Sequence, residues 1–213
     1  MAIPIPQFDA AAQRALQSAW QELAGGEDAL WPRLKEAYAD PARHYHNLGH
    51  IRALLEWAAT YRARLHDYDA VRCAIWFHDA VYDTRRNDNE ERSAAFAVES
   101  LQQLPGLWPR SQAVAAMILA TKTHQLGGLD SDAAWFLDFD LAILGSSPDV
   151  YRAYSQAIRQ EYRWVPGPLF RRKRRQVLES FVLRERLFFT PELRERLESQ
   201  ARRNLQEELT QLN

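Results

Sequence analysis

The chain has 213 residues, with 27 Lys+Arg against 28 Asp+Glu, 46% hydrophobic residues and one cysteine. The even charge gives no global pull towards nucleic acid, 11% aromatics argues against disorder, and a lone Cys73 excludes an internal disulfide and a four-cysteine zinc site. The opening MAIPIPQFDAAAQRAL lacks a basic segment followed by an apolar core, and no stretch approaches the roughly 20 apolar residues of a membrane span, so the expectation is a cytoplasmic protein with no membrane partner.

The 31 alanines and 26 leucines outnumber Val, Ile and Thr together, at 21, which predicts an all-α fold. Asp9 is placed to cap a first helix from Ala10 to about Leu23, ended by Gly25-Gly26, and Leu30 to Ala39 reads as a second, shorter one. From Asn47 to about Leu65, the residues Leu48, Ile51, Leu54, Leu55, Ala58 and Ala59 recur at helical spacing, which puts His46 and His50 at the start of a helix. Asp69 to Val81 is almost unbroken apolar sequence, too long for a typical strand, and reads as a buried helix whose polar residues need a reason.

Asp88 is placed to cap a helix from Asn89 to Leu104, closed by Pro105-Gly106, and another runs from about Arg110 to Thr123. Asp130 or Ser131 opens the next, through Ile143 to Gly145. Pro148 begins a helix to about Tyr162, Pro166-Gly167-Pro168 interrupts, and a long helix reaches Phe189 before Thr190-Pro191 opens a charged last one. In that last helix Leu193, Leu197, Leu205 and Leu209 suit either the chain's own core or a second copy's, so a homo-oligomer stays open.

Against this helical background stand His46 and His50 in HYHNLGHI, His78-Asp79 in WFHDAVYD, His124 in ATKTH, and Asp138 and Asp140 in FLDFDLAIL. Burying an imidazole or a carboxylate without a partner costs several kcal/mol, so such groups are paired or bound to metal. On a helix, successive residues point about 100° apart, which lets His78 and Asp79 flank one ion. His50 and Asp140 from two other helices complete a set of two histidines and two carboxylates. Mixed N and O ligands suit a divalent ion such as Mn, Fe, Mg, Co, Ni or Zn that keeps water, and water held so becomes a nucleophile near neutral pH.

These segments resemble the HD-domain superfamily of metal-dependent phosphohydrolases, and more narrowly its short bacterial members known only as predicted HD phosphohydrolases. The resemblance runs from YHNLGHI through WFHDAVYD, DNEERSA, ATKTH and LDFDLAILG to EYRWVP and NLQEEL. It implies a single HD-type helical domain over residues 1–213, with N-terminal helices to residue 40, a metal-site core over 41–145 and C-terminal helices over 146–213. It implies that His50, His78, Asp79 and Asp140 hold the metal, with Asp138 in reserve. It also implies that His46 is the general acid, that Glu90 orients the attacking water or acts as base, and that His124 and Lys122 contact phosphate or a second metal. The activity implied is hydrolysis of a phosphoester or phosphoanhydride in a nucleotide or other small phosphorylated metabolite, and no specific nucleic-acid partner is implied.

The chain departs from the cyclic-dinucleotide and cyclic-nucleotide members of that superfamily, lacking a second His pair and an obvious purine clamp. Other readings stand beside the hydrolase: a metal-containing nucleotide-binding or regulatory protein without turnover, and a di-iron oxygenase, for which His50, His78 and His124 are few ligands. The basic run RRKRR, Arg171 to Arg175, reads as a solvated helix face or a polyphosphate patch. Trp57, Trp76, Phe77, Trp135 and Phe136 lie at core spacing.

Overall fold

A computed structural model describes residues 10–26 and 29–212. The described residues are all-α, with no strand: α1 (Ala10–Ala24), α2 (Leu30–Tyr38), α3 (Leu48–Thr60), α4 (Tyr68–Phe77), α5 (Asn89–Leu101), α6 (Ser111–Thr121), α7 (Ser131–Leu141), α8 (Pro148–Glu161), α9 (Gly167–Val182) and α10 (Pro191–Gln211). Short 3-10 turns at Arg62–Arg64, Trp108–Arg110 and Ala142–Gly145 join some of them. None of these helices is long and apolar enough to cross a membrane. Asp9, expected to cap α1, lies outside the described residues.

The described residues divide into two compact units, one ending at Phe139 and the other beginning at Asp140. The division falls inside α7, between Phe139 and Asp140, so Asp140 rides on the last turn of a helix whose body belongs to the first unit.

In the first unit α4 is the buried axis, packed by α3, α5 and α6. Its apolar run has no polar face to offer water, and Val71, Cys73, Ala74, Ile75, Trp76 and Phe77 are fully buried. Trp76 receives the edges or faces of Trp20 and Trp31, at ring separations of 5.7 and 6.0 Å. Each such pair adds about 0.5–1.5 kcal/mol beyond its buried area. The start of α4 is held by two acids: Asp67 accepts from Ala70 N, and the buried Asp132 accepts from His66 N and Asp67 N at 2.9 and 2.7 Å. Burial pushes the Cys73 thiol up to about 12.

The other end of α4 departs from the sequence expectation. The helix stops at Phe77 rather than Val81, so His78 and Asp79 lie in the turn that follows it. That turn is closed by Ala80 N donating to Phe77 O, and by Ser93 in α5, whose hydroxyl accepts from Val81 N and donates to Val81 O. Asp88 makes no side-chain cap on α5; its carboxylate is taken by Arg86 instead.

In the second unit α10 packs on the 3-10 turn at 142–145. Leu193, Leu197 and Leu205 are buried, and Leu209 is half-buried. Asn204 ties the turn down, donating from Nδ2 to Leu144 O and Ser146 O. Glu208 accepts two bonds from Arg174, at 2.8 and 3.0 Å, and one each from Tyr151 and Ser155. The basic run is therefore split: Arg171, Arg172 and Lys173 are exposed, whereas Arg174 is a buried ion-pair partner. The predicted helix to Phe189 ends at Val182, because Leu187 and Phe188 are fully buried and Glu198 accepts from their backbone N–H groups.

Candidate metal centre

Three segments converge on one point. Asn47 caps α3 by accepting from Gly49 N, and the first turn of that helix presents His50. The turn after α4 presents His78 and Asp79, and the last turn of α7 presents Asp140. His50 and His78 are buried, at 4% and 2% exposure, while the Asp79 side chain keeps 20%.

The Nε2 atoms of His50 and His78 lie 3.1 Å apart, and Asp79 Oδ2 lies 3.1 Å from His78 Nε2 and 3.9 Å from His50 Nε2. Among the described residues, His50, His78 and Asp140 form a group whose ligand atoms all lie within 4.8 Å of one another. Ligands bound at about 2.1 Å stand about 3.0 Å apart when adjacent in an octahedron and about 4.2 Å when opposite. The donor types and separations fit a divalent ion.

Proton placement strengthens that fit. His78 Nδ1 lies 2.9 Å from Ile75 O, and a carbonyl only accepts, so Nδ1 carries the hydrogen. In the neutral ring, Nε2 then turns a lone pair towards His50 and Asp79. A lone pair facing a carboxylate needs a cation or a proton between them, and a histidine whose far nitrogen is held by a carbonyl is the usual way a metal ligand is oriented. Burial raises the Asp79 carboxyl, but the positive charge that His78, His46 and His50 carry when protonated outweighs it, so without an ion the group is held well below the usual carboxylate range.

His46 precedes α3 in the turn before it. Its ring packs edge-on to Tyr45 at 5.0 Å, lies over Tyr82 at 4.5 Å, and sits 5.9 Å from the His50 ring. Tyr45 and Tyr82 belong to the same YHN and HDAVYD segments as the histidines, yet nothing in their spacing shows that they meet around His46. Asp138 and Asp140, two residues apart on α7, point about 200° from one another, so they cannot share a face. Asp140 joins the histidines, and Asp138 is fully buried.

Lys122, Glu90 and His124 have partners of their own. Lys122 donates to Asn87 O and to the Glu91 carboxylate, with Glu90 4.0 Å away, so both Lys122 and Glu90 belong to a cluster joining α5 to the end of α6. His124 follows that end in the left-handed backbone region, φ 47°, donating its N–H to Ala120 O. A cavity of ≈ 380 Å³ opens at the opposite end of α4, lined by Asp67, Arg110, Met117, Asp130 and Asp132 among others. Its carboxylates are already committed to backbone N–H groups and Arg110, which marks it as part of the α4 anchor.

Comparison with family models, with curated proteins and with solved structures gives no match for this chain.

Proposed function

We propose that the protein is a metal-dependent phosphohydrolase of the HD type, acting on a phosphoester or phosphoanhydride of a nucleotide or other small phosphorylated metabolite. The observation that carries the reading is the convergence of His50 Nε2, His78 Nε2 and the Asp140 carboxylate, with Asp79 Oδ2 3.1 Å from His78 Nε2 and with His78 Nδ1 held by Ile75 O so that Nε2 faces inward. An ion held there, whether Mn, Fe, Mg, Co, Ni or Zn, supplies Lewis acidity towards a phosphoryl group.

The chain's own groups do the rest. Asp79 and Asp140 keep the site anionic enough to retain the cation, and the burial of both histidines strengthens their interaction with it. His46, held between two tyrosines next to His50, delivers a proton to the leaving oxygen. Glu90 and Lys122 are already paired within their own cluster, so any phosphate contact by Lys122 competes with Glu91.

The test is phosphate release from a panel of nucleotides and sugar phosphates with Mn, Co, Mg or Ni added, comparing wild type with Asp79→Ala. Selective turnover lost in the variant supports the reading. A folded, ion-loaded wild type without turnover on any substrate overturns it in favour of an ion-containing nucleotide-binding or regulatory protein.

A further inference from the structure

Arg43 is 8% exposed, and its fork reaches across 36 residues of sequence. Nη1 donates to Asp79 O at 2.6 Å and to His46 O at 3.3 Å, and Nη2 donates to Ala80 O at 3.2 Å. The guanidinium carbon lies 5.1 Å from the Tyr38 ring centre and 5.3 Å from that of Tyr82. Tyr82 in turn covers the His46 ring, and Tyr38 donates its hydroxyl to Trp76 O in α4. One buried cation thus touches the backbone of the HD turn, the backbone of His46 and the ring that orients His46.

Burying a guanidinium costs several kcal/mol unless its donors are used and its charge is compensated. Here Nη1 and Nη2 are spent on carbonyl oxygens and the charge faces two rings, while the buried Nε makes no hydrogen bond. Two of those carbonyls belong to the turn beyond Phe77, the last residue of α4. A basic side chain that only pinned that turn would need those two alone. The third bond, to His46 O, links the turn to another segment. A planar fork with five donors spans such a set, and an ammonium group does not.

We propose that Arg43 is a positioning residue that locks the turn carrying His78 and Asp79 to the turn carrying His46, so that the ion ligands and the proton donor keep one relative geometry. The inference rests on the ion-site reading above. Arg43 touches neither ion nor substrate; it acts through the backbone of the residues that do.

The experiment compares wild type, Arg43→Lys and Arg43→Met as purified, ion-free proteins, each titrated with cobalt(II) chloride. Affinity is read by calorimetry, ligand geometry by the cobalt visible absorption band, and folding by the thermal transition in chelator. Supporting residues of this kind are worth about 10–100-fold in metal affinity. The expected order is wild type, then Lys, then Met, with Met weakened at least tenfold and its cobalt band altered while the melt stays cooperative. A folded Arg43→Met with wild-type affinity and band overturns the proposal. If Arg43→Met does not fold, Arg43→Lys decides alone: a weakened, altered site supports the proposal, and a site identical to wild type overturns it. Wild type that takes up no cobalt removes the ion reading itself and this inference with it, a result distinct from equal binding by all three proteins.

Discussion

Loading the site with an ion should stabilise the fold by an amount the geometry allows one to work out. The candidate ligands come from three places far apart in sequence: His50 on α3, His78 and the adjoining Asp79 after α4, and Asp140 on α7. An unfolded chain does not hold these together, so the ion binds the native state and its binding energy becomes folding energy. At an ion concentration 100 times Kd the gain is about 2.7 kcal/mol. For a chain of this size each kcal/mol moves Tm by about 2–4 °C, so the transition should rise by about 5–11 °C. Asp140→Asn removes a charged ligand; if affinity falls by about 100-fold, the same ion concentration equals Kd and the gain shrinks to about 0.4 kcal/mol. Differential scanning calorimetry of ion-free protein, with Mn, Co, Ni, Zn or Mg added in turn, reads both. An unchanged Tm in wild type with every ion, or an equal rise in Asp140→Asn, refutes the reasoning.

Three further outcomes concern the scaffold. In Gly145→Ala the new Cβ meets Leu197 Cβ at 2.6 Å and Leu197 O at 2.9 Å, so urea unfolding should show a loss of about 1–3 kcal/mol, and an unchanged midpoint contradicts the packing. Burial raises the Glu208 carboxyl, but bonds from Arg174, Tyr151 and Ser155 hold it below its ordinary value. A depressed folded pKa gives stability that is present above the unfolded value of about 4.3 and lost as pH falls through the folded one. Glu208→Gln should therefore cost stability at pH 7 and flatten part of the acid dependence below about pH 5, both readable from melts across pH. Cys73, fully buried and with its thiol pushed up to about 12, should resist a thiol reagent in the native protein and react on unfolding; rapid stoichiometric labelling of the folded chain refutes its burial.

Helices were legible where periodicity and punctuation agreed, as in α2, α5 and α8, whose observed starts match Leu30, Asn89 and Pro148. Periodicity failed at the end of α4, because an apolar run continues through Ala80 and Val81 regardless of whether the backbone is helical. What ends that helix is long-range: Ser93 takes the Val81 backbone and Arg43 takes the Asp79 and Ala80 carbonyls. The same applies to α9, closed early by Glu198 from α10. At the site, residue type pointed to His50, His78 and Asp79, and the resemblance to HD-type segments favoured Asp140 over Asp138. Arg43, Tyr45 and Tyr82 were out of reach, since a cation bonded to carbonyls and rings leaves no charge pattern in sequence.

His46 separates a protein that only holds an ion from one that also moves a proton. It lies outside the His50, His78 and Asp140 group, yet Tyr45 and Tyr82 fix its ring and Arg43 fixes its carbonyl. Immobilising a side chain costs rotamer entropy, and ion binding alone gives no return for it. A histidine held beside the site does give a return if its proton goes to a leaving oxygen. His46→Phe keeps an aromatic ring between the tyrosines and removes the proton. It should retain the ion-dependent rise in Tm, while turnover of an alkyl phosphate ester falls by about 10²–10⁴. A p-nitrophenyl ester, whose leaving group needs no proton, should lose far less. Equal losses on the two esters would remove the proton-donor role from His46, and loss of the Tm rise would make it part of the ion's own shell.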